Sequence, residues 1–289
     1  MSIPRSSRAQ AESTLRNERI EAALTRAVAE GDTRDLFDQL SRNSGLPGPR
    51  PNLDLARVVG LTIARHGARA NAMLRELASD ESEYPRIVAA MALAARKIAG
   101  IDVKGAMAGL QELAEDPRYA VRRGLVEALR TLILAKGEPV VEELAAWTDG
   151  YLQAHVVLEA LTERSILDAL SNPEPILARL DEAFKLADKS PRAAERSQGV
   201  RVLRESLPNE IAAFAARFPE TIGWLETAAK IQRPESRKIV DDAIRALRKD
   251  KISDAEAKRL NELLTASARP DRNAAKIVQG TRKRSKGRR

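Results

Sequence analysis

The stretch DPRYAVRRGLVEALRTLILA, residues 116–135, decides how the chain is read. An Asp-Pro turn comes first, followed by Val121, Gly124, Leu125, Ala128, Leu129 and Leu132. Small and apolar residues that advance by alternating steps of three and one line a single face of a helix. The phrase ELAED ends the segment before this helix at residues 112–116, and ELASD stands 36 residues earlier, at 76–80. Two short helices and two turns need a period of that size, so the spacing predicts a chain of repeated helical hairpins.

The same signal continues on both sides. Upstream, Ile20, Ala23, Leu24, Ala27 and Val28 predict a helix over about residues 8–30, stopped by Gly31, with Asp32 capping a short helix after it. NSGLPGPRPN, residues 43–52, holds three prolines and two glycines and reads as a loop closing an N-terminal cap. Asn52 is a candidate N-cap for a helix carrying Leu55, Val58, Val59 and Ile63 that breaks at Gly67. Downstream, the spacing predicts a helix over about residues 192–207 and a separate one carrying Ile211, Phe214 and Phe218. Later come a periodic helix through Ile239, Val240, Ala243, Ile244 and Leu247, and a last helix opened by a Ser253–Glu256 capping box. Strand-like alternation is missing over any useful length, and Ala, Leu, Glu and Arg dominate. The predicted class is all-α, divided as cap (1–52), repeat array (53–267) and tail (268–289).

The Asp116-Pro117, Val121-Arg122 and Ala128-Leu129 placement resembles the HEAT repeat. Shifted by 36, Asp80, Arg86 and Ala92-Leu93 agree with it, and in a late copy Ile239 stands for Val121, with Val240 at the Arg place. The resemblance covers roughly residues 68–247. It implies a right-handed α-solenoid, and it implies that Asp116 and Arg122 bridge neighbouring repeats instead of binding a ligand.

Charge supplies the functional signal. From Ala268 to Arg289 there are nine Lys/Arg against a single acid, Asp271; this accounts for the net charge of +8 and leaves residues 1–267 neutral. The terminal TRKRSKGRR, with Arg282, Lys283, Arg284, Lys286, Arg288 and Arg289, reads as a disordered polycation. Such a segment binds phosphate backbones by counterion release, with steep salt dependence and little sequence preference. An acidic protein surface would attract it as well. Arg192 and Arg196, on the helix expected over 192–207, would add a phosphate-facing stripe.

An enzymatic alternative rests on Trp147, Asp149 and Trp224. Aromatic rings beside a carboxylate can hold a flipped or cationic base, and the bacterial HEAT-like alkylpurine DNA glycosylases, which this chain distantly resembles, use such residues in a concave cleft. Against it, Trp147 extends the Val140–Leu144 stripe, Asp149 stands where an N-cap belongs, and Trp224 shares a stripe with Ala228 and Ile231. A third alternative is a protein–protein scaffold.

Other chemistry is excluded more simply. Cysteine is absent, so disulfides, thiolate nucleophiles and Cys-ligated metals are ruled out. His66 and His155 are the only histidines, HExxH is missing, and His155 with Glu159 four residues on reads as an exposed pair. No phosphate-binding glycine loop and no GxSxG elbow occurs. The prediction is therefore no metal and no cofactor. MSIPRSSRAQ at the start has no apolar core, and the apolar run at Ile87–Ala95 is too short to cross a bilayer, which predicts a cytoplasmic protein without a membrane span.

Overall fold

The computed structural model describes residues 5–48, 50–248 and 252–268, with only the backbone for residues 5–16. The described residues are helical throughout, with no strand. In chain order the helices are α1 (Arg5–Glu30), α2 (Arg34–Asn43), α3 (Leu53–Arg65), α4 (Asn71–Ser79), α5 (Glu83–Ala99) and α6 (Val103–Ala114). They continue with α7 (Tyr119–Lys136), α8 (Glu138–Glu143), α9 (Tyr151–Leu161), α10 (Arg164–Ala169) and α11 (Glu174–Asp188). The last four are α12 (Gln198–Arg217), α13 (Glu220–Ala228), α14 (Pro234–Leu247) and α15 (Asp254–Ala266). Single 3-10 turns cover Gly67–Ala70 and Leu144–Trp147.

The helices of one series pack against each other in turn. α3 packs on α5, α5 on α7, α7 on α9, α9 on α12 and α12 on α14, and the intervening helices pack against members of this series. α1 packs on α2 and α3, and α2 reaches α5, so the segment before the Pro/Gly loop is built onto the rest. α5 is the hub. Its run Ile87–Ala95 is buried on every side, which its five alanines and a glycine on each of the flanking helices α3 and α7 make possible. A Cβ on Gly60 of α3 would stand 2.7 Å from Met91 Cβ, and one on Gly124 of α7 would stand 2.6 Å from Ile87 Cγ2. Backbones thus approach α5 from both flanks at distances that any larger residue would prevent.

An arginine staple recurs at the helix starts. The fourth residue of α5, α7 and α14 is Arg86, Arg122 and Arg237 respectively. Each bonds the carbonyl six residues back, in the turn that follows the preceding helix: Asp80 O at 2.6 Å, Asp116 O at 2.8 Å and Ile231 O at 3.0 Å. A cation just past a helix end also meets the negative end of the helix dipole. Arg122 is thereby buried without a ligand role. The late copy is in a different register from the one read in the sequence: Arg237, not Val240, occupies the Arg place.

Local readings were mixed. Asn52 accepts from Leu55 N at 3.2 Å as the N-cap of α3, and Ser253 with Glu256 forms the full capping box on α15. Two boundaries are corrected. Thr33, not Asp32, is the N-cap position of α2, and the Asp32 carboxylate instead accepts from Arg34 N. Residues 192–196 are turns, and α12 begins only at Gln198, where Ser197 Oγ accepts from Val200 N at 3.3 Å. Once started, α12 runs through Pro208 to Arg217 as one helix of 20 residues, not two. Packing of Leu203, Leu207, Ile211 and Phe214 outweighs the backbone hydrogen bond that a proline removes.

Candidate binding surfaces

The residues of the proposed base-binding cleft are not exposed as a set. Trp147 is 2% exposed and belongs to the core. Asp149 is exposed, but the N-cap position of α9 falls to Gly150, so the Asp149 side chain caps nothing. Trp224 is half-buried, donates from Nε1 to Asp181 Oδ1 at 3.2 Å and stands edge-on to Phe184 with ring centroids 5.2 Å apart. These two contacts hold the ring against α11.

Arg192 and Arg196 lie on the turn before α12, both exposed, and so do not form a helical stripe with Arg201 and Arg204. Arg204 points inward instead, to Glu195 Oε2 at 2.6 Å, Ser190 Oγ at 2.7 Å and Ala187 O at 3.0 Å. Hydrogen bonds from Arg204, with Ser190 and the Arg233 charge in support, outweigh partial burial and hold the Glu195 carboxyl below its ordinary range. Arg282, Lys283, Arg284, Lys286, Arg288 and Arg289 lie outside the described residues.

The fold assembles one group the sequence did not bring together. α7, α9 and α12 border a groove of about 510 Å³ containing Tyr119, His155, Glu159, Ser206 and Glu210. His155 is buried: Nδ1 lies 3.1 Å from Ser206 Oγ and 3.5 Å from Glu210 Oε1, and Nε2 lies 3.3 Å from Glu159 Oε2. The exposed pairing expected for His155 is therefore a contact between a buried imidazole and a half-buried Glu159. Neither carboxylate oxygen of Glu210 has a hydrogen-bond partner among the described residues. Burial pushes this carboxyl up from its ordinary value, opposed only in part by His155 and Ser206. A sequence signal for it existed, because Glu210 interrupts the buried face Leu203, Leu207, Ile211 and Phe214. The Ser–His–carboxylate order suggests a nucleophile at first. However, Ser206 sits inside α12 and donates to Leu203 O at 3.1 Å. The helix has already taken the backbone N–H groups around it, so no donor pair is available for an oxyanion.

Among the described residues no cluster of His, Asp or Glu has metal-binding geometry, and no helix is long and apolar enough to cross a membrane. Comparison with protein-family models, with curated proteins and with solved structures gives no match to this chain.

Proposed function

We propose that this chain is a HEAT-like helical-repeat binding module, a right-handed α-solenoid, that does no chemistry of its own and associates with nucleic acid through its basic C-terminal stretch. The observation that carries the reading is the charge partition: residues 268–289 hold a net +8 and the preceding 267 residues sum to zero. The arginine bonds support it. Arg86, Arg122, Arg179, Arg204 and Arg237 each bond a backbone carbonyl of a neighbouring helix or turn, which commits these five guanidiniums to packing. The solenoid reading rests on the serial packing of α3, α5, α7, α9, α12 and α14 and on the thrice-repeated staple.

Removal of residues 268–289 tests the proposal. Retention on immobilised duplex DNA or RNA at low salt should disappear, and should fall steeply with added salt in the intact chain. Equal retention with and without the segment would overturn it.

A further inference from the structure

The groove over His155 holds two carboxyl groups and one imidazole to face them. Glu159 Oε2 lies 3.3 Å from Nε2, and Glu210 Oε1 lies 3.5 Å from Nδ1. Ser206 donates its one proton to Leu203 O, so at the 3.1 Å contact His155 Nδ1 is the donor and Ser206 Oγ accepts. Nδ1–H is thereby engaged, and both Glu210 oxygens stay without a hydrogen bond in a residue that is 4% exposed. One imidazolium balances one carboxylate. The second has no cation beside it, because the groove's wall contains neither Lys nor Arg among the described residues. A buried carboxylate left in that state is costly unless a proton or a cation joins it.

The nearby charges do not supply that cation. Arg122 bonds Asp116 O and acts on Glu159 only through space. Arg130 reaches the Glu159 carbonyl, not its carboxylate, and pairs with Glu127 and Glu163. Arg123, one turn past Tyr119 on α7, is not in the groove's wall. On α10, Asp168 takes both Arg164 and Arg217. Glu235, Lys238 and Asp242 of α14 border a different groove, on another face of α12.

We propose that the groove over His155 binds an organic cation, with an ammonium or guanidinium head held by Glu159 and Glu210. This goes beyond the proposed function and does not depend on nucleic-acid binding. Half-buried Glu159 and the Tyr119 ring, 61% exposed, meet the head group at the surface, and a cation is attracted to the face of such a ring. Glu210 and His155 lie below them. A groove of about 510 Å³ admits the head with a short alkyl chain. Among the described residues these side chains lack metal-binding geometry, which favours an organic cation over a divalent metal ion. Burial favours the protonated form of Glu210, so the ligand's charge takes the place of a proton and binding releases it.

The test uses the full chain in calorimetric titrations, in two buffers of different ionisation enthalpy. The probes are methylguanidinium, n-propylammonium and a capped tripeptide with a central Arg, with methylurea as the uncharged control. A cation should bind, methylurea should not, and the heat should depend on the buffer because a proton is released. Affinity should rise from pH 5 to pH 8, since ligand and proton compete for Glu210 and a deprotonated His155 acts in the same direction. Glu159→Gln and Tyr119→Ala, both at partly open positions, should keep the circular dichroism of the unchanged chain. The first should weaken binding by about tenfold or more, as for a lost hydrogen bond to a charged group, and the second by about two- to fivefold. Glu210→Gln should weaken binding and remove most of the buffer dependence. Binding of the free cations assigns the site to a small amine or guanidine, and binding of the peptide alone assigns it to an arginine of a partner protein; either supports the site. No binding by any cation, equal binding of methylurea, or unchanged affinity in both Glu159→Gln and Glu210→Gln overturns it.

Discussion

Arg86 and Asp116 join one helical hairpin to the next: Arg86 Nη1 lies 3.0 Å from Asp116 Oδ2, and the Asp116 side chain is 1% exposed. Arg118 closes on the same carboxylate from its own turn, with Nη2 at 2.6 Å and the backbone N–H at 2.9 Å. Arg86 also binds the end of α4, so a single guanidinium fastens its own turn and the following one. Asp116→Ala leaves two cations without their shared anion at a buried point. Stability should drop by about 3 kcal/mol, read as a lower denaturation midpoint.

The same carboxylate makes an acid-side prediction. Burial by itself would raise the Asp116 pKa, but hydrogen bonds from Arg118 and the charge of Arg86 outweigh it and hold the group below its ordinary value of 3.8. A carboxyl depressed in the folded state adds stability that is present above its unfolded pKa and is lost as pH falls through the folded one. The thermal midpoint of the intact chain should therefore fall below about pH 4. Asp116→Ala should show a shallower fall there, and parallel curves would show that Asp116 contributes nothing to the acid limb.

How much of this was legible depended on the range of the interaction. The apolar faces of α7 and α14, the Asn52 cap and the Ser253–Glu256 box are local patterns, and they are present as read; in α3, Leu55, Val59 and Ile63 are buried, but Val58 is turned to solvent at 51% exposure. The start of α12 was misplaced because Arg192–Arg196 has helical composition while Pro191 and the Ser197 cap fix the true boundary. The Arg237 staple was missed because its register is set by a helix start and not by the apolar period. The His155–Ser206–Glu210 contact joins residues 51 and 55 apart, and only the docking of α12 on α9 makes it.

Close backbone approach around α5 is open to a direct check. Gly124→Ala gains up to about 1 kcal/mol of helix propensity but places a methyl group 2.6 Å from Ile87 Cγ2. Overpacking of a tight core costs about 1–3 kcal/mol, so the net change should be destabilising. Ile87→Ala in the same chain frees the space, and the double variant should be less destabilised than the sum of the two single ones. Strict additivity in urea unfolding would mean that the two helices do not press on each other here.

Glu210 should give a pH dependence of opposite sign to that of Asp116. Its carboxyl is raised above its ordinary value of 4.5 by burial, so the folded chain holds this proton where the unfolded chain has released it. Stability from this group therefore falls as pH rises above about 4.5 and through the folded pKa. The groups facing it are His155 from α9, Ser206 from its own helix and, at longer range, Glu159. Glu210→Gln keeps the volume and removes the ionisation. The melting temperature of the variant minus that of the intact chain should grow between pH 5 and pH 8; a flat difference would show that Glu210 ionises freely.

The two tryptophans separate a core from a cleft by a measurement that needs no substrate. Trp147 is buried and Trp224 is half-buried against Phe184, with its Nε1 on Asp181. In Trp224→Phe, which leaves Trp147 as the only tryptophan, emission should be blue-shifted and resist iodide. In Trp147→Phe, the remaining Trp224 should be quenched in part. Truncating the buried ring to Trp147→Ala should cost about 3–5 kcal/mol, as expected for a large core side chain. A ring that stacks on an extruded base must present a face to solvent before the base arrives. Strong iodide quenching of Trp147 would therefore return both rings to consideration as the walls of a base-binding cleft, whereas protection keeps Trp147 in the core, where its 3-10 turn packs on α8 and α9.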